Sequence, residues 1–256
     1  MNQVLSSTAD SGYLPLGGFQ LLKTTGEDLL EELRSRFHNG QQTALFFANT
    51  NFIVQCQALR DEMTTDTLII NDGVGIDIAT WLIHRTRFPE NLNGTDFTPE
   101  LLRQLGSTAK VYLLGGKPGI AERAAQNLRA QNIHVAGVSD GYAQARDKNQ
   151  LRQTINDSGA NVLLVAMGNP LQERWILEER NQLNATLLLG VGALLDFLAG
   201  DKPRAPDLVR KLRLEWFYRL CLEPGRLIRR YTIDIFRFLS LCLREHRNTE
   251  RGSPAA

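Results

Sequence analysis

Cysteine is scarce in this chain. Cys56, Cys221 and Cys242 are widely spaced and form no C-x-x-C pair, so neither a disulfide framework nor a cysteine zinc site is supported, and a reducing cytoplasm fits best. No D-x-D triplet occurs, and His38, His84, His134 and His246 stand apart from any nucleophile or acidic cluster. A tightly held metal is therefore not expected, and no cofactor is called for. Long hydrophobic runs are missing too. No stretch approaches the roughly 18 uninterrupted apolar residues of a membrane span, so any membrane contact is expected to lie along a surface. The first 14 residues lack a basic region followed by an apolar one, which argues against a signal peptide, and residues 1 to about 15 read as a loose tail. Charge of one sign is lacking as well: the formal net charge is +1, which does not advertise nucleic acid as a partner.

That balance hides an asymmetry. Residues 208–247 carry ten Arg or Lys against four Asp or Glu, so a basic C-terminal segment follows a mildly acidic body. The body alternates apolar runs with amphipathic stretches. Runs at 43–48, 67–70, 110–114, 133–138, 162–166 and 186–191 read as strands, with helical patterns between them. A capping box at Thr24–Glu27 is expected to open the first helix. Asn93-Gly94-Thr95-Asp96 reads as a turn, with the next helix opening at Thr98-Pro99. Six alternations predict a doubly wound parallel α/β sheet of Rossmann-like type. Nearly every strand ends in Gly, Asn or Asp, and in a parallel sheet those ends share one edge, where ligands bind.

Asp72 stands out at such an end, in Ile69-Ile70-Asn71-Asp72-Gly73-Val74-Gly75. A carboxylate there serves either as a general base or as the cap of the following helix. Gly115-Gly116-Lys117-Pro118-Gly119 joins a strand to a helix N-terminus and reads as a nucleotide-diphosphate cradle or a plain turn. It is neither a Walker A loop nor a dinucleotide fingerprint. Gly168-Asn169-Pro170-Leu171-Gln172-Glu173 repeats the arrangement, with Gln172 and Glu173 able to bond ribose or sugar hydroxyls. Asp140 and Tyr142 mark a further strand end, where the tyrosine stacks on a base or simply packs. Pro203-Arg204-Ala205-Pro206 reads as a hinge, dividing a catalytic domain, 1–204, from a helical appendage, 205–256. There Ile228, Tyr231, Ile235, Phe238 and Cys242 form one stripe, and Arg230, Arg237 and Arg244 another. Such a helix lies on a membrane, on the core or on a second subunit, so a homo-oligomer stays open.

Taken together, Asn71-Asp72-Gly73-Val74-Gly75, Asn93-Gly94-Thr95-Asp96, Leu114-Gly115-Gly116-Lys117-Pro118, Asp140-Gly141-Tyr142, Gly168-Asn169-Pro170-Leu171-Gln172-Glu173, Gly190-Val191-Gly192 and Arg204-Ala205-Pro206 resemble the WecG/TagA/CpsF glycosyltransferase family, family 26. The resemblance implies a metal-independent, inverting transfer from a UDP-sugar to a polyprenyl-diphosphate-linked saccharide at the inner face of the membrane. It puts the general base on Asp72, other active-site polar groups on Asn49, Asn51 and Gln172, and diphosphate- and membrane-contacting arginines on Arg219, Arg226 and Arg229. Asn93-Gly94-Thr95 looks more like the xanthan-type exopolysaccharide branch, which implies glucose as the sugar moved. Three alternatives remain: an N-acetylmannosaminyl(uronic acid) transferase acting on a lipid-linked N-acetylglucosamine, a nucleotide-binding module without chemistry, and an NAD-dependent oxidoreductase.

Overall fold

The computed structural model describes residues 12–141, 147–206, 209, 215–222, 225 and 233–252. It opens on a hairpin, β1 (Tyr13–Leu16) and β2 (Phe19–Leu22), whose first strand falls largely in the stretch the sequence suggested was a tail. Gly17 and Gly18 join the strands with φ of +58° and +87°, the double positive φ that a tight two-residue hairpin turn demands. Phe19 and Leu21 then drop into the core.

α1 (Gly26–His38) starts one residue later than expected: its cap is Thr25, whose hydroxyl accepts from the Asp28 N–H. The six apolar runs become β3 (Thr43–Ala48), β4 (Thr67–Asn71), β5 (Val111–Gly115), β6 (Val135–Ser139), β7 (Val162–Ala166) and β8 (Leu187–Gly190). They form one sheet in the order β4-β3-β8-β7-β5-β6, with every pairing parallel. Both faces are covered, so the strands are apolar on both sides. Along β3, Leu45 and Phe47 enter one core, and Ala44, Phe46 and Ala48 the other.

The first core is closed by α1, α4 (Gly94–Leu105), α5 (Ile120–Ala130) and α8 (Leu194–Leu198). The second is closed by α2 (Thr50–Gln55), α3 (Val74–His84), α6 (Lys148–Asp157) and α7 (Leu171–Glu179). α4 begins a turn before the expected Thr98-Pro99. The Asn93 side chain accepts from the Asp96 N–H, so the supposed turn is the helix's cap and first turn, and Pro99 lies inside it.

Among the described residues that follow are the helices α9 (Glu215–Leu222) and α10 (Ile233–Gly252). α10 packs on α2, α3 and β1. It buries Phe238 and Cys242 in the second core, each 1% exposed. Of the two stripes read from the sequence, these apolar members serve as core, while Arg237 and Arg244 face outward. Among the described residues no helix is long and apolar enough to cross a membrane.

Candidate active site

All six strand ends lie on one edge of the sheet, and each is tied to its neighbour there. The Asp72 N–H donates to the Ala48 carbonyl at 2.8 Å, joining β4 to β3. Val191 N–H to Val165 O at 2.9 Å joins β8 to β7, and Gly116 N–H to Ala166 O at 3.0 Å joins β5 to β7. Gly141 N–H reaches Gly116 O at 3.4 Å, bringing in the end of β6. The strand order sets how far apart the candidate groups stand. Asp72 leaves the edge strand β4, and Gly115 ends β5 four positions away. At ~4.8 Å per strand the two are roughly 19 Å apart, and Asp140, one strand further, roughly 24 Å.

Asp72 is half-buried and is not the cap of the helix that follows. α3 is capped by Gly73, at φ +94°, with no side-chain cap bond, and the Gly73 N–H instead donates to Asn91 Oδ1 at 2.7 Å. The cap position of α3 is thus Gly73 and not Asp72. Asn71 is fully buried and its amide donates to the Glu90 carbonyl at 2.7 Å, which anchors the strand end beneath the carboxylate. Across the gap, Asn49 caps α2, accepting from the Asn51 and Phe52 N–H groups at 3.0 and 3.1 Å. Gly75 lets the two loops close up: a Cβ there would sit 2.5 Å from Thr50 Cγ2. Asn49, Asn51 and Asp72 are therefore gathered at the β3–β4 end of the edge. Asn91, which holds the Asp72 loop, went unnoticed in the sequence, since nothing in its spacing marks it.

Gln172 and Glu173 turn inward, 3% and 1% exposed. Gln172 Oε1 accepts from the backbone N–H groups of Gly168, at 3.1 Å, and Gly192, at 3.0 Å, and so clamps the end of β7 to that of β8. Its Nε2 donates to Glu173 Oε1 at 2.8 Å, an oxygen that also accepts from Asn169 Nδ2 at 2.6 Å. Asn169 Oδ1 in turn accepts from Asn51 Nδ2 at 3.2 Å. A buried carboxylate thus sets the amide of Asn169, and Asn169 sets that of Asn51. Burial pushes the Glu173 carboxyl above its ordinary range, opposed by hydrogen bonds from Gln172 and Asn169. Burial first, and then the Glu173 charge, hold the neighbouring Cys56 thiol far up, so Cys56 stays a neutral thiol. Both residues named as sugar contacts are, in this geometry, supports for Asn51. Asn169 is the member of the set that the sequence reading passed over. Gln172→Leu orphans two backbone N–H groups at about 1–3 kcal/mol each. A corresponding fall in the urea midpoint is the expected result.

At the far end, the glycine loop is explained by packing. A Cβ on Gly115 would lie 2.4 Å from the Ala166 oxygen, and the Gly116 N–H is already spent on that same carbonyl. The diphosphate-cradle reading of Gly115 and Gly116 loses its main donor. Asp140 is half-buried beside them. Tyr142, Arg226 and Arg229 lie outside the described residues, and Arg219 falls on α9 with its side chain undescribed.

A sequence profile described as the glycosyl transferase WecG/TagA/CpsF family matches residues 14–252, nearly the whole of this fold. The chain belongs to that family. It is a glycosyltransferase, and the oxidoreductase and non-catalytic readings fall away. It is also 31% identical over 230 residues to the N-acetylglucosaminyldiphosphoundecaprenol N-acetyl-beta-D-mannosaminyltransferase of Staphylococcus aureus, 86% of this chain and 89% of the relative, in strains NCTC 8325 / PS 47 and COL alike. That relative is named for moving N-acetylmannosamine, which overturns the expectation of glucose and of xanthan-type exopolysaccharide. The expectation rested on Asn93-Gly94-Thr95, and the structure shows why it misled. Asn93 caps α4, and a Cβ on Gly94 would press on the Phe47 ring at 3.0 Å. Those residues are spent on the fold.

Proposed function

We propose that this chain is an inverting transferase that moves an N-acetylmannosaminyl group from UDP to a lipid-linked N-acetylglucosaminyl diphosphate. The observation that carries the donor and acceptor is the likeness to the mannosaminyltransferase, which runs through nine-tenths of that relative. The gathering of Asn49, Asn51 and Asp72 at one end of the edge supports the chemistry assigned to the site. The acceptor hydroxyl attacks the anomeric carbon as the bond to UDP breaks, and its proton passes to the Asp72 carboxylate. The diphosphate leaves from the same carbon. It therefore belongs within a few ångströms of Asp72, not at Gly115 and Gly116, roughly 19 Å along the edge. An extended donor fits better with its sugar over Asn49, Asn51 and Asp72, its diphosphate over the β8–β7 ends at Gly192 and Gly168, and its uridine towards Asp140. In this reading Arg219, Arg226 and Arg229 supply the charge that the departing diphosphate needs.

The test pairs UDP-N-acetylmannosamine and UDP-glucose with a short-chain polyprenyl-diphosphate N-acetylglucosamine, with and without EDTA. Product from the first donor alone, undiminished by EDTA, is expected. Turnover of UDP-glucose alone, or of neither donor, would overturn the proposal.

A further inference from the structure

α3 has two apolar sides and one of them is bare. Ile76, Ala79 and Thr80 are buried, with Ile83 packed beside them. On the opposite side, at the i, i+3, i+4, i+7 spacing of a single stripe, stand Ile78, Trp81, Leu82 and Arg85. Ile78 is 51% exposed, Trp81 43% and Leu82 46%. A helix apolar all round is ordinarily buried all round. The bare stripe is not scattered chance exposure, because it is continuous and ends in a cationic cap. The guanidinium carbons of Arg85 and Arg87 lie 5.3 and 6.0 Å from the centre of the Trp81 ring, within cation–π range. Aliphatic residues, a tryptophan and arginines along one face are what a helix in the headgroup layer presents.

Position adds to this. α3 starts two residues after Asp72, and at 1.5 Å per residue Ile78 lies about 6 Å along its axis. The stripe therefore begins one turn from the candidate base.

We propose that this face of α3 docks on an anionic lipid bilayer, with Ile78, Trp81 and Leu82 in the headgroup–acyl boundary and Arg85 and Arg87 on lipid phosphates. Charge complementarity selects this occupant over a second copy of the chain: Arg85 and Arg87 put two cations beside a stripe that itself carries no carboxylate, and lipid phosphates supply the opposite charge. The membrane contact expected from the sequence lay in the C-terminal helices, so this surface is separate from it. The direction of docking rests on the lipid-linked acceptor proposed above, but the experiment reads binding without turnover, so either can fail alone.

Cys56 and Cys242 are buried and Cys221 is exposed. A polarity-sensitive thiol dye on a Cys221→Ser/Leu82→Cys chain therefore reports the stripe alone. Phosphatidylglycerol vesicles are expected to shift its emission to the blue, and phosphatidylcholine vesicles to leave it unmoved. Arg85→Gln/Arg87→Gln is expected to weaken vesicle binding roughly 30-fold, two cations at about 1 kcal/mol each. Three results would overturn the proposal. The protein could sediment with vesicles while the dye stays unmoved, which places the contact on another face. The dye could shift with protein concentration in the absence of lipid, with the molecular mass doubling, which assigns the stripe to a second copy. Or no vesicle could bind the protein at all.

Discussion

Replacing Asp72 by Asn is expected to lower the rate of sugar transfer by roughly 10²- to 10⁴-fold, the range that a positioned general base contributes, while UDP binds as before. The substitution leaves the backbone bond from the Asp72 N–H to Ala48 in place, and the cap position of the helix after it is Gly73. A second acid stands close by, and it supplies the control. Asp77, in the first turn of α3, accepts from the Asn71 side chain at 3.4 Å, so its role is to hold the strand end. Asp77→Asn should therefore cost less in turnover than Asp72→Asn and more in stability. Rates, calorimetric UDP affinity and urea midpoints measured on both proteins separate the two roles. A folded Asp72→Asn chain that turns over normally would end the assignment.

How much of this was legible beforehand depended on the length scale of each signal. The six strands were, because apolar runs buried on both faces advertise themselves. Their ends at Asn49, Asp72, Gly115, Asp140 and Gly168 could be placed on one edge without coordinates. Their order could not. It follows from which helices cover which face, and it is what separates Asp72 from Gly115 and removes the simple picture of a base beside a glycine phosphate cradle. The hairpin was written plainly in the double glycine Gly17-Gly18 between alternating residues, yet its first strand was read as tail and its turn and second strand were passed over. Gln172 and Glu173 illustrate the opposite failure. Polar residues in the first turn of a helix suggest contact with a ligand, but the two side chains turn into the protein, where one oxygen of Gln172 satisfies two glycine N–H groups. Nothing local distinguishes a polar group that meets substrate from one that holds the group that does. The donor sugar was misread for a related reason: Asn93 and Gly94 were taken as a signature and are a helix cap and a packing contact.

Phe238→Ala is expected to destabilise the chain by about 3–5 kcal/mol, the range for emptying a buried phenylalanine site, whereas Phe236→Ala, two residues earlier, should change stability by no more than about 0.5 kcal/mol. The contrast comes from the face each occupies on α10: Phe238 is 1% exposed in the core that also holds Phe19, Phe52 and Ile53, and Phe236 is 74% exposed. This bears on any attempt to assign membrane binding to the C-terminal segment by deletion. Removing residues 205–256 strips Phe238 and Cys242 from beneath α2, α3 and β1 and uncovers the hairpin turn, where a Cβ on Gly17 would stand 3.4 Å from the Cys242 sulfur. A truncated chain that no longer binds vesicles would thus have lost part of its core as well as its arginines. Phe236→Ala and Arg237→Gln remove outward groups and leave the core intact, so they isolate the surface role. Urea unfolding of the two phenylalanine variants decides the point. Near-equal, small losses would mean that α10 contributes little to the fold, and only then would the deletion report on membrane contact alone.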